Sequence, residues 1–256
     1  MITVGVDLAS QSNDTALAVV EWGEGHSKVL NVVVGADDEM ILDEGAKADI
    51  VGIASPFGWP EPFFELLSQN RVGRVDEPRR AATVSGRDEI MYRTTERRVR
   101  DWLGLKLMPS TSNMLGSTVL RCVGLQTRLD EAGITVTRGE GGRVIEVYSP
   151  ASLMAWGLHE PSYKSKSAVR VRILEQIGRR LNCLFGDYRT LCVESDDALD
   201  ALVGAMTARA VGLGFWRQPV DEEERERASA EGWICVPAGT VETLLGTQPS
   251  ELDERL

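Results

Sequence analysis

The chain has 256 residues, 43% hydrophobic and 26% charged, the balance of a globular protein long enough to bury a sizeable core. Its formal net charge of −11 argues against non-specific adhesion to nucleic acid over the whole surface, while leaving room for a local basic patch. No run of about 18 apolar residues is there to span a bilayer, and MITVGVD enters a strand-like pattern without a charged leader. A soluble cytoplasmic protein with no membrane partner is the expectation.

Residues 2–8 (ITVGVDL) have the β-branched character of a strand and run into a polar turn at 9–14. Residues 15–22 and 28–34 repeat that signal around Gly23-Glu24-Gly25, which predicts a three-stranded meander. A short helix at 40–46 and a buried strand at 49–54 follow, the strand stopping at Ser55-Pro56. The order β-β-β-α-β places the chain in the α/β class.

From about residue 59 to 140 the pattern is mixed, far longer than an ordinary connection, and predicts a helical insertion after the fourth strand. Helices are expected in it at 61–70, 94–103 and 118–132, with Gly133 as a stop and an extended stretch at 134–137. Residues 143–148 (RVIEVY) predict another strand. A helix at 165–181 sets Val169, Ile173, Ile177 and Leu181 four apart, with a basic opposite face. The last clear helix, about 196–214, carries Leu199, Leu202, Val203, Met206, Ala210 and Leu213 on one core-facing stripe. These readings give a domain over 1–214 and an extension over 215–256. In the extension a charged segment at 221–230 and a short strand at 232–237 precede a disordered tail.

The four cysteines, Cys122, Cys183, Cys192 and Cys235, lack paired zinc spacing and are too sparse for a disulfide framework, so reduced, buried thiols are predicted. His26 and His159 are expected on the surface. Carboxylates are the more informative acids and bases. A two-metal phosphoryl-transfer site needs several of them converging from different elements, because its cations, about 4 Å apart, must be held by oxygen ligands. Asp197 and Asp200 stand three apart on a predicted helix and are expected to point away from its Leu199 and Leu202 stripe. Asp7 ends an apolar strand at a position whose alternation calls for a hydrophobe, and a cation is one partner such a carboxylate could have. The plainer reading makes Ser195 an N-cap, Asp196 and Asp197 first-turn acids that complement the helix dipole, and Asp7 a solvated strand end. It fits Asp200 less well, since that residue lies beyond the terminal turn.

Six segments carry a resemblance: VGVDLAS (4–10), GIASPFGWP (52–60), YRTTERR (92–98), VIEVYSP (144–150), SYK (162–164) and DDALDALVGAMTARA (196–210). In this order they resemble the family named domain of unknown function 429, predicted nucleases of the RNase H fold. The last helix is also similar to the terminal helix of RuvC-type Holliday junction resolvases, where paired aspartates act with a first-strand aspartate as metal ligands. The resemblance implies an RNase H-like fold, with a mixed central sheet in β-β-β-α-β-α-β-α order. It also implies Mg²⁺ or Mn²⁺ held by Asp7, Asp197 and Asp200. Three departures stand out. Ala54 replaces the aspartate the family carries in its fourth strand, Glu96 replaces an aspartate after Arg93 and Thr95, and Ser149 interrupts the Tyr-Pro after the fifth strand. Glu146 is the one carboxylate placed to stand in for the missing ligand, and its alternation, which pairs it with Val144 while Ile145 and Val147 share the other face, works against a purely core role.

Basic residues cluster in two places: Arg79, Arg80, Arg87, Arg93, Arg97, Arg98 and Arg100 in the insertion, and Lys164, Lys166, Arg170, Arg172, Arg179 and Arg180 along one helix. Arg93, Arg97, Lys164, Lys166 and Arg170 are the candidates for nucleic-acid contact. Solvated helix faces paired with Glu96, Asp101 and Glu175 are the alternative. Phe57 or Trp59 could stack on a base, but packing beneath the insertion is the simpler role.

The expected function is metal-dependent hydrolysis of DNA or RNA by Asp7, Asp197 and Asp200 with Glu146, weakened or lost through Ala54. A second expectation is a non-catalytic member that binds nucleic acid or protein. A third, a nucleotide-binding phosphotransferase, is disfavoured because the turn Ala9-Ser10-Gln11-Ser12 lacks the glycines of a phosphate-cradling loop.

Overall fold

A computed structural model describes residues 1–71 and 81–246. Six strands form one mixed sheet in the order β5-β4-β1-β2-β3-β6. Strands β1 (Ile2–Asp7), β2 (Ala16–Gly23) and β3 (His26–Val34) make the antiparallel meander. β4 (Ile50–Ala54) lies parallel to β1 on its other side, and β5 (Val144–Glu146) parallel to β4. The two-residue β6 (Cys183–Leu184) adds a short parallel edge to β3; it is too short to leave a periodic signal.

Helices cover both faces of the sheet. On one side α1 (Asp38–Lys47), entered through the Asp37 cap, packs with α5 (Gly116–Glu131). There Val4, Val6, Val51, Ile53 and Val144 meet Ile41, Cys122, Leu125 and Leu129. On the other side lie α6 (Ser149–Ala155), α7 (Ser167–Arg180), α8 (Tyr188–Glu194) and α9 (Asp196–Gly212). A second core joins β2 and β3 to these helices through Val20, Trp22, Leu153, Ile173, Leu199 and Met206.

The region predicted as an insertion contains α2 (Glu61–Arg71), α3 (Val84–Met91), α4 (Thr94–Leu103) and α5. Because α5 covers one face of the main sheet, only the earlier helices stand apart from it. The C-terminal segment packs through Gly246: α10 (Glu222–Glu231) lies against α4, and Ile234 bridges Glu146 beyond β5. Of the tail predicted to be disordered after residue 237, the part up to Gly246 is packed, with Val241 and Leu244 buried; the rest lies outside the described residues, as do Arg79 and Arg80.

Helix α9 departs from its predicted single stripe. It is buried all round from Ala198 to Ala210, because it is sandwiched between the sheet and α6 and α8. Its Leu199, Leu202, Val203 and Met206 each contribute roughly 1.5–3 kcal/mol by burial. Among the described residues no helix is long and apolar enough to cross a membrane. The four cysteines are free, and all but the half-buried Cys183 are buried.

Candidate functional site

Three glycines bring α9 onto the sheet. A Cβ on Gly5 would lie 2.0 Å from Ala201 O and 2.2 Å from Ala205 N, and one on Gly52 would lie 2.8 Å from Gly204 O. With hydrogens at these positions the helix backbone rests directly on β1 and β4. Asp200 lies one turn before Gly204, and Asp7 two residues after Gly5 on the same strand face. The packing of small residues therefore delivers two carboxylates to one point. Asp197 and Asp196 follow on the first turn of α9, whose N-cap is Ser195, its hydroxyl accepting from Ala198 N at 3.1 Å.

The three predicted aspartates come together. Asp7 lies near enough to both Asp200 and Asp197 for each of their charges to act on its carboxyl. Burial, then the charge of Asp200, pushes the Asp7 carboxyl well above the usual range. Burial and Asp196 raise Asp197. Burial also raises Asp200, against the pull of Lys164. Asp200 is only 2% exposed. Its Oδ1 accepts from Tyr163 Oη at 2.9 Å, its Oδ2 accepts from Lys164 Nζ, and its backbone carbonyl accepts from Ser149 Oγ at 2.9 Å. Lys164 Nζ also lies 3.9 Å from Asp196 Oδ2. Burial works against the ammonium, but Asp200 and Asp7 hold its pKa above the ordinary value.

The turn that carries Lys164 is anchored by Arg170. This side chain, predicted as a nucleic-acid contact, is buried and donates to four carbonyls: Tyr163 at 2.6 Å, Val193 at 2.8 Å, Glu194 at 3.0 Å and Lys164 at 3.2 Å. It thus ties the Tyr163-Lys164 turn to the segment entering α9.

Glu146 goes elsewhere. Val144 belongs to the core on the α1 and α5 side, and alternation sets Glu146 on that side, opposite Asp7 and Asp200. Its carboxylate receives both Arg93 Nη atoms, at 2.6 and 2.8 Å, and Phe57 N at 3.0 Å. Arg93 is 1% exposed and also donates through Nε to Glu96 at 3.1 Å and through Nη1 to the Glu231 carbonyl at 3.1 Å. Burial raises the Glu96 carboxyl despite Arg93. Arg93 therefore has no donor facing a phosphate; it is the buried centre of a network joining α4, β5 and the end of α10. Glu231 completes the network, its carboxylate accepting from Glu61 N at 3.0 Å and Thr94 N at 2.8 Å and so capping two helices.

A cavity of about 190 Å³ separates the two clusters, with Asp7, Ala54, Lys164 and Asp200 toward one end and Arg93 and Glu146 toward the other. Leu107, Met108, Leu115 and Ile234 supply apolar wall. Phe57 is fully buried, and Trp59 packs edge-on against Phe64 with ring centroids 6.0 Å apart.

The remaining basic candidates scatter. Arg97 donates to Tyr92 O and Thr94 Oγ1, Lys166 is exposed at the start of α7, and Arg98, Arg100, Arg172 and Arg180 are in ion pairs. Tyr163, Ser149 and Glu231 were missed in the sequence. Tyr163 left a trace there as the neighbour of Lys164 in Ser-Tyr-Lys, and Ser149 as the residue that interrupts the Tyr-Pro after the fifth strand.

Carboxylate oxygens are the right donors for a hard divalent cation, yet the set does not fit a two-metal centre as arranged. Asp7 and Ala54 are register partners on neighbouring parallel strands, so the position beside Asp7 offers a methyl group. Both oxygens of Asp200 are occupied by Tyr163 and Lys164. Among the described residues no three histidine, cysteine or carboxylate side chains converge on a point a metal ion could occupy.

No curated protein and no solved structure matches the chain. A family model described as "Protein of unknown function (DUF429)" matches residues 5–225, a span that contains the end of β1 with Asp7, the rest of the acidic cluster, Lys164 and all of α9. The chain belongs to this family.

Proposed function

We propose that the chain is a nuclease of the RNase H-like kind, built to hydrolyse phosphodiesters in DNA or RNA, whose activity is strongly reduced in its natural sequence by the alanine at position 54. The sheet order and the β-β-β-α-β start support the fold reading. The meeting of Asp7 with Asp197 and Asp200 where β1 ends supports the chemistry: in active sites of this type divalent cations activate water and stabilise the leaving oxygen. Asp7, Asp197 and Asp200 are the ligands the family resemblance implies, and as they now stand they do not converge on a point a metal ion could occupy. The observation that carries the reduced-activity reading is the register pairing of Asp7 with Ala54. An aspartate there would stand on the same face as Asp7, in the adjacent strand, and would add the oxygen donors that the set lacks.

A non-catalytic, binding role is the second reading, favoured by the closed state of Asp200 and by the burial of Arg93 and Arg170. The two readings part on one experiment. Ala54→Asp is compared with the natural chain for Mg²⁺- or Mn²⁺-dependent cleavage of single- and double-stranded DNA and RNA. Cleavage that appears or rises in the variant supports the nuclease reading, and nucleic-acid binding without cleavage in both supports the other.

A further inference from the structure

Four aspartates, Asp7, Asp196, Asp197 and Asp200, crowd the end of β1 and the first two turns of α9. Such a set of like charges needs a compensating cation. One is already in place. The Lys164 ammonium bonds Asp200 Oδ2 and lies 3.9 Å from Asp196 Oδ2, and the charges of Asp200, Asp7 and Asp196 all act on it.

Its position is held from three sides. Tyr163, 3% exposed, anchors the neighbouring residue in the core and fills the other oxygen of Asp200. The buried Arg170 holds the carbonyls of both Tyr163 and Lys164 to those of Val193 and Glu194. Ser162 closes the turn, its carbonyl accepting from Ser165 N at 3.0 Å and Lys166 N at 2.9 Å. A lysine that merely swung in from solvent would need none of this. Half of the side chain is exposed, so the stem borders solvent while the ammonium sits among the carboxylates.

From this we infer that Lys164 is the resident cation of the acidic centre: its ammonium takes the place a divalent ion would need, so Mg²⁺ or Mn²⁺ binds only by displacing it. The competition is unequal because Lys164 is intramolecular, at a high effective concentration, and because Ala54 leaves the centre one carboxylate short. The inference rests on the reading of the site as a nuclease centre, but it is tested on binding and stability rather than cleavage, so either can fail without the other.

The test is Mn²⁺ titration of the full chain, followed by electron paramagnetic resonance, together with melting curves in EDTA and in excess Mn²⁺. The natural chain is expected to melt at the same temperature in both media and to bind Mn²⁺ weakly. Lys164→Gln should melt lower in EDTA, regain its loss in Mn²⁺, and bind Mn²⁺ at least about tenfold more tightly, since affinity follows the net charge of the ligand set. Lys164→Arg, which keeps the charge, should remain indifferent to Mn²⁺. If Lys164→Gln does not fold in EDTA, its recovery on refolding with Mn²⁺ gives the same reading. Tight Mn²⁺ binding by the natural chain would overturn the inference. So would a folded Lys164→Gln variant with unchanged Mn²⁺ affinity, or an unfolded one that Mn²⁺ does not rescue.

Discussion

Gly5 of β1 and Gly204 of α9 touch backbone to backbone: a Cβ on Gly204 would lie 3.4 Å from Gly5 Cα, and one on Gly5 would penetrate the helix at Ala201 O, 2.0 Å away. The contact sets the height of α9 above the sheet and hence the meeting of Asp7 with Asp200. Gly5→Ala should push the helix outward, costing about 3 kcal/mol or more as an overpacking that backbone cannot relieve. Urea denaturation measures it. A loss under about 1 kcal/mol would mean that the helix yields easily and that the site is not fixed by this contact.

Arg93 is a buried cation between two buried carboxylates. Arg93→Leu should cost about 3–5 kcal/mol at neutral pH, because Glu96 and Glu146 lose their shared partner while remaining buried. The deficit should shrink as pH falls and Glu96, whose carboxyl burial already raises, takes up a proton. Denaturation midpoints of variant and natural chain across pH 4–8 check this, and a pH-independent deficit would speak for lost packing alone.

The acidic cluster makes the opposite demand. In the folded chain Asp7, Asp197 and Asp200 all have raised carboxyl pKa values, so the folded state holds protons that the unfolded state has released. Their contribution to stability is full below the ordinary Asp pKa of about 3.9 and is lost as pH rises through the higher folded values. Asp7→Asn removes the most strained of these ionisations while keeping the shape. It should raise the melting temperature at pH 7, with a gain of about 1 kcal/mol or more, and lose that advantage near pH 4. A melting temperature lowered at pH 7 would show that the Asp7 charge is stabilising.

The sheet was legible from the sequence because each main strand has its own run of β-branched residues and each ends at a turn. The short pieces were not: β6 has two residues, and α6 and α8 have seven each, too few for a periodic pattern. The single stripe predicted for α9 failed because the alanines and glycine between its leucines are equally buried, and residues that small mark no face of a helix as inner or outer. For the site, strand end and helix spacing singled out Asp7, Asp197 and Asp200, and the family resemblance implied that they meet. What spacing does not encode is the partner of a charge. Arg93, Glu146 and Arg170 looked like surface chemistry in sequence and are paired or bonded inside the fold, with partners up to 138 residues away.

On the proposed nuclease reading, position 54 is what separates a working centre from a reduced one. The most direct measurement compares the natural chain, Ala54→Asp and the double variant Asp7→Asn, Ala54→Asp in single-turnover cleavage of DNA and RNA with Mn²⁺ and with EDTA. Ala54→Asp is expected to cleave at least about tenfold faster than the natural chain in Mn²⁺, through its added ligand, and EDTA or Asp7→Asn to remove the gain. A natural chain already as active as Ala54→Asp, or a variant that gains nothing while staying folded, would contradict that reading.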